Sequence, residues 1–155
     1  MSFSERWRRI VRRLIWIYPP FLFSGIGVRC LSKEPLVYRT TLKCRFWNQN
    51  AVGTHFGGSL YAMTDPFYML ILMEALGKDY VVWDQASTIE YLHAGRKKVS
   101  AHFEIPPEKV EAIRLQANEE TIRPVFTVEI KDEDDTVVAR VHKTIYVRKK
   151  RRDSP

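Results

Sequence analysis

Cysteine is scarce in this 155-residue chain. Cys30 and Cys44 are its two thiols, and neither lies in a CxxC pair or a Cys/His cluster with metal-ligand spacing, so no metal site is read from them. They read as small apolar residues. Long apolar runs are missing too: no charge-free apolar run approaches the roughly eighteen residues that span a bilayer, and a soluble fold is expected. Seven glycines are too few for a collagen-like repeat, and a 12% aromatic share is too high for a disordered chain. What is present, 45% hydrophobic and 28% charged residues, fits a single domain over residues 1–155 with a sizeable core.

Acidic residues are nearly absent from both ends. Residues 1–13 hold Arg6, Arg8, Arg9, Arg12 and Arg13 against Glu5, and residues 148–155 hold Arg148, Lys149, Lys150, Arg151 and Arg152 against Asp153. Each end is therefore +4, and the total of +7 leaves the body between them at −1. Such a body has no positive excess with which to track a phosphate backbone, so nucleic acid is not an expected partner. The basic tails leave weak contact with an anionic membrane surface open.

Trp7, Ile10, Val11, Leu14 and Tyr18 recur at helical spacing between the arginines, which predicts a basic amphipathic helix over about 4–18, ended by Pro19-Pro20. Two uses fit it: a helix docked on the domain edge, which is the commoner one, and a membrane-surface anchor. Pro19-Pro20 interrupts the apolar region and no small-x-small cleavage site follows cleanly, so a secretion signal is not read and a cytoplasmic location is expected.

After Gly25 the pattern changes to period two. Leu36, Tyr38, Thr40, Leu42, Cys44 and Phe46 share one face of a long strand, and residues 25–32 form a shorter strand before it. A polar loop from Asn48 to Gly58 leads into the most apolar segment, Leu60 to Leu76, which is expected as a buried helix ended by Gly77. Strands are expected at Tyr80–His93, Val99–Ile105, Val125–Lys131 and Thr136–Arg148, with a short helix from Pro106-Pro107 to about Gln116. The expected fold is α+β, a curved antiparallel sheet wrapped around one long central helix. Such a layer leaves one sheet face and an edge strand uncovered, and a second copy is the economical cover.

Asn50, Gly53, His55, Gly57, Gly58 and Asp65 gather just before and inside the apolar helix. Two glycines at a helix start let a substrate approach closely, and the unpaired N–H groups there suit an oxyanion. Asp65 lies two turns further on, where a carboxylate on an apolar helix costs free energy unless it is paired, wet or used. Asp65-Pro66 also reads as an N-cap with proline at the first helical position, and Pro66 alternatively kinks a continuing helix. His93, His102 and His142 stand on strands without partner spacing and read as satisfied or exposed histidines. Arg96-Lys97-Lys98 reads as a charged turn, and alternatively as a basic rim for phosphates.

This run resembles the hotdog-fold thioesterases, in particular the phenylacetate-pathway type and an uncharacterised bacterial branch of that superfamily. Their pattern of asparagine, glycine, His-Gly-Gly and a later carboxylate is matched in order by Asn50, Gly53, His55, Gly57, Gly58 and Asp65, with Phe56 separating the histidine from the glycines. The resemblance implies a hotdog fold over nearly the whole chain and hydrolysis of an acyl-CoA or related thioester. It implies an oxyanion held by the N–H of Gly57 or Gly58, and Asp65 activating water or attacking directly from the partner subunit. It leaves His55 and Asn50 to orient the carbonyl or the water; separately, Arg96, Lys97 and Lys98, if they form a basic rim and not a plain charged turn, would hold the phosphates of coenzyme A. It requires no metal or redox cofactor, and it implies a homodimer or homotetramer. Three rivals remain: a non-catalytic acyl-thioester binder, a hydratase or dehydratase of the same fold, and a membrane-peripheral structural protein. The uncharged run Phe67 to Met73 lowers the second, which needs a later helix carboxylate.

Overall fold

The computed structural model describes Ile15 and residues 18–150. The basic helix expected over 4–18 and the end of the basic tail, residues 151–155, therefore lie outside the described residues, apart from Ile15, which is buried in the core, and Tyr18.

Helix α1 (Pro19–Ser24) ends at Gly25, whose φ of 76° is a left-handed conformation that glycine adopts at little cost. A hairpin follows, β1 (Ile26–Lys33) and β2 (Leu36–Leu42), paired from Ile26 opposite Leu42 to Lys33 opposite Leu36. The period-two reading holds through Leu42, with Tyr38, Thr40 and Leu42 buried. It fails beyond, because Asn48 folds back on the chain. Its Oδ1 accepts the N–H of Arg45 at 2.7 Å, and its Nδ2 donates to the carbonyls of Lys43 at 2.9 Å and Ser24 at 3.2 Å. The strand gives way to a single 3₁₀ turn, Phe46–Asn48.

Two helices come next, α2 (Gly57–Ala62) and α3 (Phe67–Leu76), then β3 (Tyr80–Tyr91), β4 (Val99–Phe103), α4 (Pro107–Glu119), β5 (Val125–Asp132) and β6 (Val137–Lys149). The six strands form one antiparallel sheet in the order β1-β2-β4-β5-β6-β3. Its inner face meets α3, which buries Phe67, Tyr68, Leu70, Ile71, Leu72 and Leu76. Phe67 stacks on Phe103 at 4.6 Å between ring centroids, and Tyr68 on Phe126 at 4.8 Å. Phe67 is fully buried, so truncating it to alanine should cost about 3–5 kcal/mol. The Tyr68 hydroxyl donates to the Thr127 carbonyl at 3.0 Å, and burial pushes its pKa up to about 12.

The expectation of a curved sheet wrapped around one long helix is corrected in both halves. The sheet is open, not strongly curled or closed: β1 and β3 are its two edges and do not pair with each other. It therefore covers one side of the helical layer, and α4 meets the end of α3, where Arg114 donates to the carbonyls of Ala75 at 2.6 Å and Leu76 at 3.3 Å. The helix is moderate in length and broken at Met63–Pro66. Pro66 has no N–H for the carbonyl of Ala62, and its ring disfavours helical geometry at Asp65. The break closes instead by tight turns, Thr64 N–H to Tyr61 at 2.9 Å and Asp65 N–H to Ala62 at 3.2 Å.

Candidate active site

The loop before α2 is built by Asn50. Its Oδ1 accepts the N–H groups of Val52 at 3.1 Å and Thr54 at 3.0 Å, and its Nδ2 donates to Thr54 Oγ1 at 2.8 Å and to the His55 carbonyl at 3.4 Å. The backbone closes with Asn50 N–H on the Thr54 carbonyl at 2.8 Å, and Gly53 takes the φ of 73° that the turn requires. Both ends of the Asn50 amide are thus spent inside the loop.

His55 ties this loop to the connection between β3 and β4. Its N–H donates to the Gly95 carbonyl at 2.9 Å, and Nε2 lies 2.8 Å from the Lys97 carbonyl. The residue is only 3% exposed, and Nδ1 is buried without a partner among the described residues. Burial holds the imidazole below its ordinary pKa, outweighing the opposite pull of the Lys97 carbonyl.

Gly57 and Gly58 then open α2, and neither N–H has an acceptor among the described residues. An open cleft of about 540 Å³ lies here, between Asn50–Leu60 on one side and Tyr91–Gly95 on the other. A Cβ on Gly57 would come within 2.7 Å of the Tyr91 hydroxyl. The close neighbour at that point is the tyrosine's outer end, and backbone conformation makes no demand for glycine.

Asp65 does not line this cleft in its own chain. It sits on the break between α2 and α3 with its side chain 51% exposed. The N-cap of α3 is Pro66, with no side-chain cap bond, so the capping reading of Asp65 does not hold. Its partner is Lys143 of β6: Nζ donates to Asp65 Oδ1 at 3.1 Å. The same ammonium lies 3.2 Å from Asp84 Oδ1 and 5.4 Å from the Tyr61 ring centroid, and the Lys143 side chain is wholly buried. Burial disfavours the ammonium, but the charges of Asp84 and Asp65, with the Asp65 hydrogen bond, outweigh it and raise its pKa. Burial raises the pKa of Asp84, with Lys143 pulling the other way.

The basic turn separates from both sites. The Lys97 side chain pairs with Asp134 in the turn before β6, while its carbonyl holds His55. Lys98 lines a different hollow on the sheet, with Arg29, Arg39 and Lys43, and neither it nor Arg96 lines the Gly57 cleft. The three strand histidines have local partners: His93 meets the Val137 carbonyl at 2.8 Å, His102 meets Glu104 at 3.4 Å, and His142 meets Thr127 Oγ1 at 2.9 Å.

A family described as a domain of unknown function (DUF4442) matches residues 8–147, nearly the whole chain. The chain belongs to that family. No curated protein matches this DUF4442 chain significantly. Among solved structures it is similar to a Pseudomonas aeruginosa protein of unknown function described as a probable thioesterase, at 16% identity over 92% of this chain and 95% of that one, with a TM-score of 0.77. A thioesterase from Haemophilus influenzae is similar at 14% identity over 100% of this chain and 96% of that one, TM-score 0.63. A further conserved protein from Pseudomonas aeruginosa is similar at 18% identity over 87% and 98%, TM-score 0.61. At these identities the likeness shows a shared overall fold, and the sheet of this DUF4442 chain is open.

Sequence reasoning missed Tyr91, Gly95, Asp84 and Lys143. For Lys143 the signal was legible: Val141, Lys143, Ile145 and Val147 occupy alternate positions, and all four are buried. A lysine in an inward aliphatic row demands a buried counter-charge.

Proposed function

We propose that the chain is an acyl-thioester hydrolase, acting on acyl-CoA or a related thioester, with the Gly57–Gly58 cleft of one copy completed by Asp65 of a second. The observation that carries this reading is the cleft, where His55, Gly57 and Gly58 border one open volume beside two unpartnered N–H groups. Its fold is shared with proteins described as thioesterases. Because α2 has only six residues, the electrostatic effect rests on those two donors more than on a helix dipole. One oxyanion-hole donor is typically worth about 3 kcal/mol.

In this reading the Asp65 carboxylate takes a proton from water as the water oxygen attacks the thioester carbon. The carbonyl electron pair moves onto oxygen, where the N–H groups of Gly57 and Gly58 hold it. Its return breaks the C–S bond, and the departing thiolate takes the proton from Asp65, leaving acid and thiol. His55, its Nδ1 buried, acts by tying the loop to the Gly95 and Lys97 carbonyls, and Asn50 acts through the loop it closes. Arg96 and Lys98, which do not line the cleft, would meet the phosphates of coenzyme A only where the substrate extends beyond it, Lys97 being engaged by Asp134. A dimer or tetramer is needed, since Asp65 is on an exposed break away from its own chain's cleft.

A second reading, a non-catalytic acyl-thioester binder, is favoured by that same separation of Asp65 from the cleft. Thiol release from a panel of acyl-CoA thioesters separates the two: turnover supports the hydrolase, whereas binding without thiol release supports the binder.

A further inference from the structure

Lys143 is a buried charge in a row of β6 otherwise filled by Val141, Ile145 and Val147. An aliphatic side chain there would serve stability at least as well, because a buried ion pair seldom recovers its desolvation cost. Asp84, whose side chain is 22% exposed, already neutralises the ammonium at 3.2 Å. The bond to Asp65 at 3.1 Å adds a second carboxylate to a balanced pair. That second bond uses Oδ1 alone. Oδ2 of Asp65 has no partner among the described residues, and the side chain is half exposed. The groups facing the ammonium are the Tyr61 ring from α2, Asp65 from the helix break and Asp84 from β3.

We infer that Lys143, charge-balanced by Asp84, is a positioning residue that grips Asp65 by Oδ1 and presents Oδ2 to the reactants. The inference rests on the reading of Asp65 as the base of a thioester hydrolase. The grip comes from β6, which is paired with β3 on one side and β5 on the other, while Asp65 itself stands where Pro66 has cost the helix a bond. A carboxylate on a helix break would otherwise sample several rotamers, and a misplacement of about 1 Å can cost on the order of 100-fold in rate.

The test compares the full-length wild type with Asp65→Asn, Lys143→Met and Lys143→Met/Asp84→Asn, reading thiol release from acyl-CoA, KM and thermal midpoint. The double variant removes the buried ammonium together with its buried counter-charge, so no bare ion is left inside. It is expected to fold, to keep KM within about threefold, and to lose about 10- to 100-fold in kcat. A merely structural pair would move the midpoint and leave kcat alone. A folded double variant with wild-type kcat, beside an inactive Asp65→Asn, overturns the inference and leaves the hydrolase reading standing. Wild-type turnover in Asp65→Asn takes Asp65 out of the mechanism and overturns the inference while thioester hydrolysis stands, and no thiol release by the wild type overturns the hydrolase reading and the inference with it. A measurement that needs no Lys143 variant is the side-chain ¹⁵N resonance of Lys143 in wild type and Asp65→Asn: a changed shift and faster proton exchange are expected, and an unchanged resonance overturns the contact.

Discussion

The imidazole of His55 places Nε2 2.8 Å from the carbonyl oxygen of Lys97. A carbonyl only accepts, so Nε2 carries the proton and Nδ1 is left as a buried acceptor. On the proposed hydrolase reading His55 therefore brings no side-chain donor to the cleft, and the donors to an oxyanion are Gly57 and Gly58. Burial lowers its pKa from the ordinary 6.5. Below about pH 6.5 the unfolded chain takes up a proton that the folded chain resists, so stability is full above that value and is lost as pH falls through the folded pKa. The thermal midpoint of the wild type is expected to drop between about pH 7.5 and 5. In His55→Gln, whose amide can still donate to Lys97, the drop should shrink. An equal drop in both removes His55 as the titrating group.

Gly95 and Gly57 should respond differently to alanine. A Cβ on Gly95 would lie 2.8 Å from Val138 Cγ1 and 3.1 Å from His55 Cδ2, and both neighbours are buried. Neither can swing aside, so Gly95→Ala is expected to cost about 1–3 kcal/mol in urea unfolding. A Cβ on Gly57 meets instead the outer end of Tyr91, which is 57% exposed. Gly57→Ala should change stability by no more than about 0.5 kcal/mol, while it pushes Tyr91 aside and weakens acyl-CoA binding, as read by calorimetry. Unaltered binding in Gly57→Ala counts against the cleft as the ligand site.

The strands and the apolar helix were legible because each pattern is local. Leu36 to Leu42 alternate, Phe67 to Leu76 are apolar but for Glu74, and Gly77 marks the stop. The end of β2 was not legible, since it is set by Asn48 bonding across the chain to Ser24 and Lys43. Nor was the state of Asp65. The sequence offered base, cap or kink; the kink at Pro66 breaks the helix, and the partner of Asp65 lies 78 positions away on β6. The cleft was half legible: Gly57, Gly58 and His55 were found by motif, whereas Tyr91 and Gly95 reach it only because β3 ends there. The open sheet was not legible, because closure depends on whether the edges β1 and β3 meet, and no single strand encodes that.

The edge strand β3 supports an oligomer. It runs twelve residues and, among the described residues, pairs only with β6, leaving a long row of backbone groups without a strand partner there. Trp83 on it is 49% exposed, stacked on Tyr146 at 4.4 Å. A long uncovered edge invites another strand, so light scattering at micromolar concentration is expected to give twice the chain mass or a multiple of it. A monomer with intact thioester turnover sinks this prediction, and with it the idea that Asp65 reaches the cleft from a second copy.

Asp65 decides between catalysis and binding. Asp65→Asn keeps the shape of the side chain and its hydrogen bond from Lys143 while removing the proton acceptor. As a general base, Asp65 should then be worth about two or more orders of magnitude in turnover, with acyl-CoA affinity nearly unchanged. A capping role would make Asn harmless and Ala costly by about 1 kcal/mol, but the N-cap of α3 is Pro66, with no side-chain cap bond. The stability effect of Asp65→Ala is therefore expected to come through Lys143, which keeps Asp84 as its counter-charge at 3.2 Å. With one of two carboxylates retained and Asp65 half exposed, the loss should be small for both substitutions. The expected signature is a large fall in kcat in Asp65→Asn and Asp65→Ala alike, with little change in thermal midpoint or ligand affinity. Full activity in Asp65→Asn takes this carboxylate out of the mechanism, and a wild type that binds acyl-CoA without releasing thiol leaves the binder as the function of the cleft.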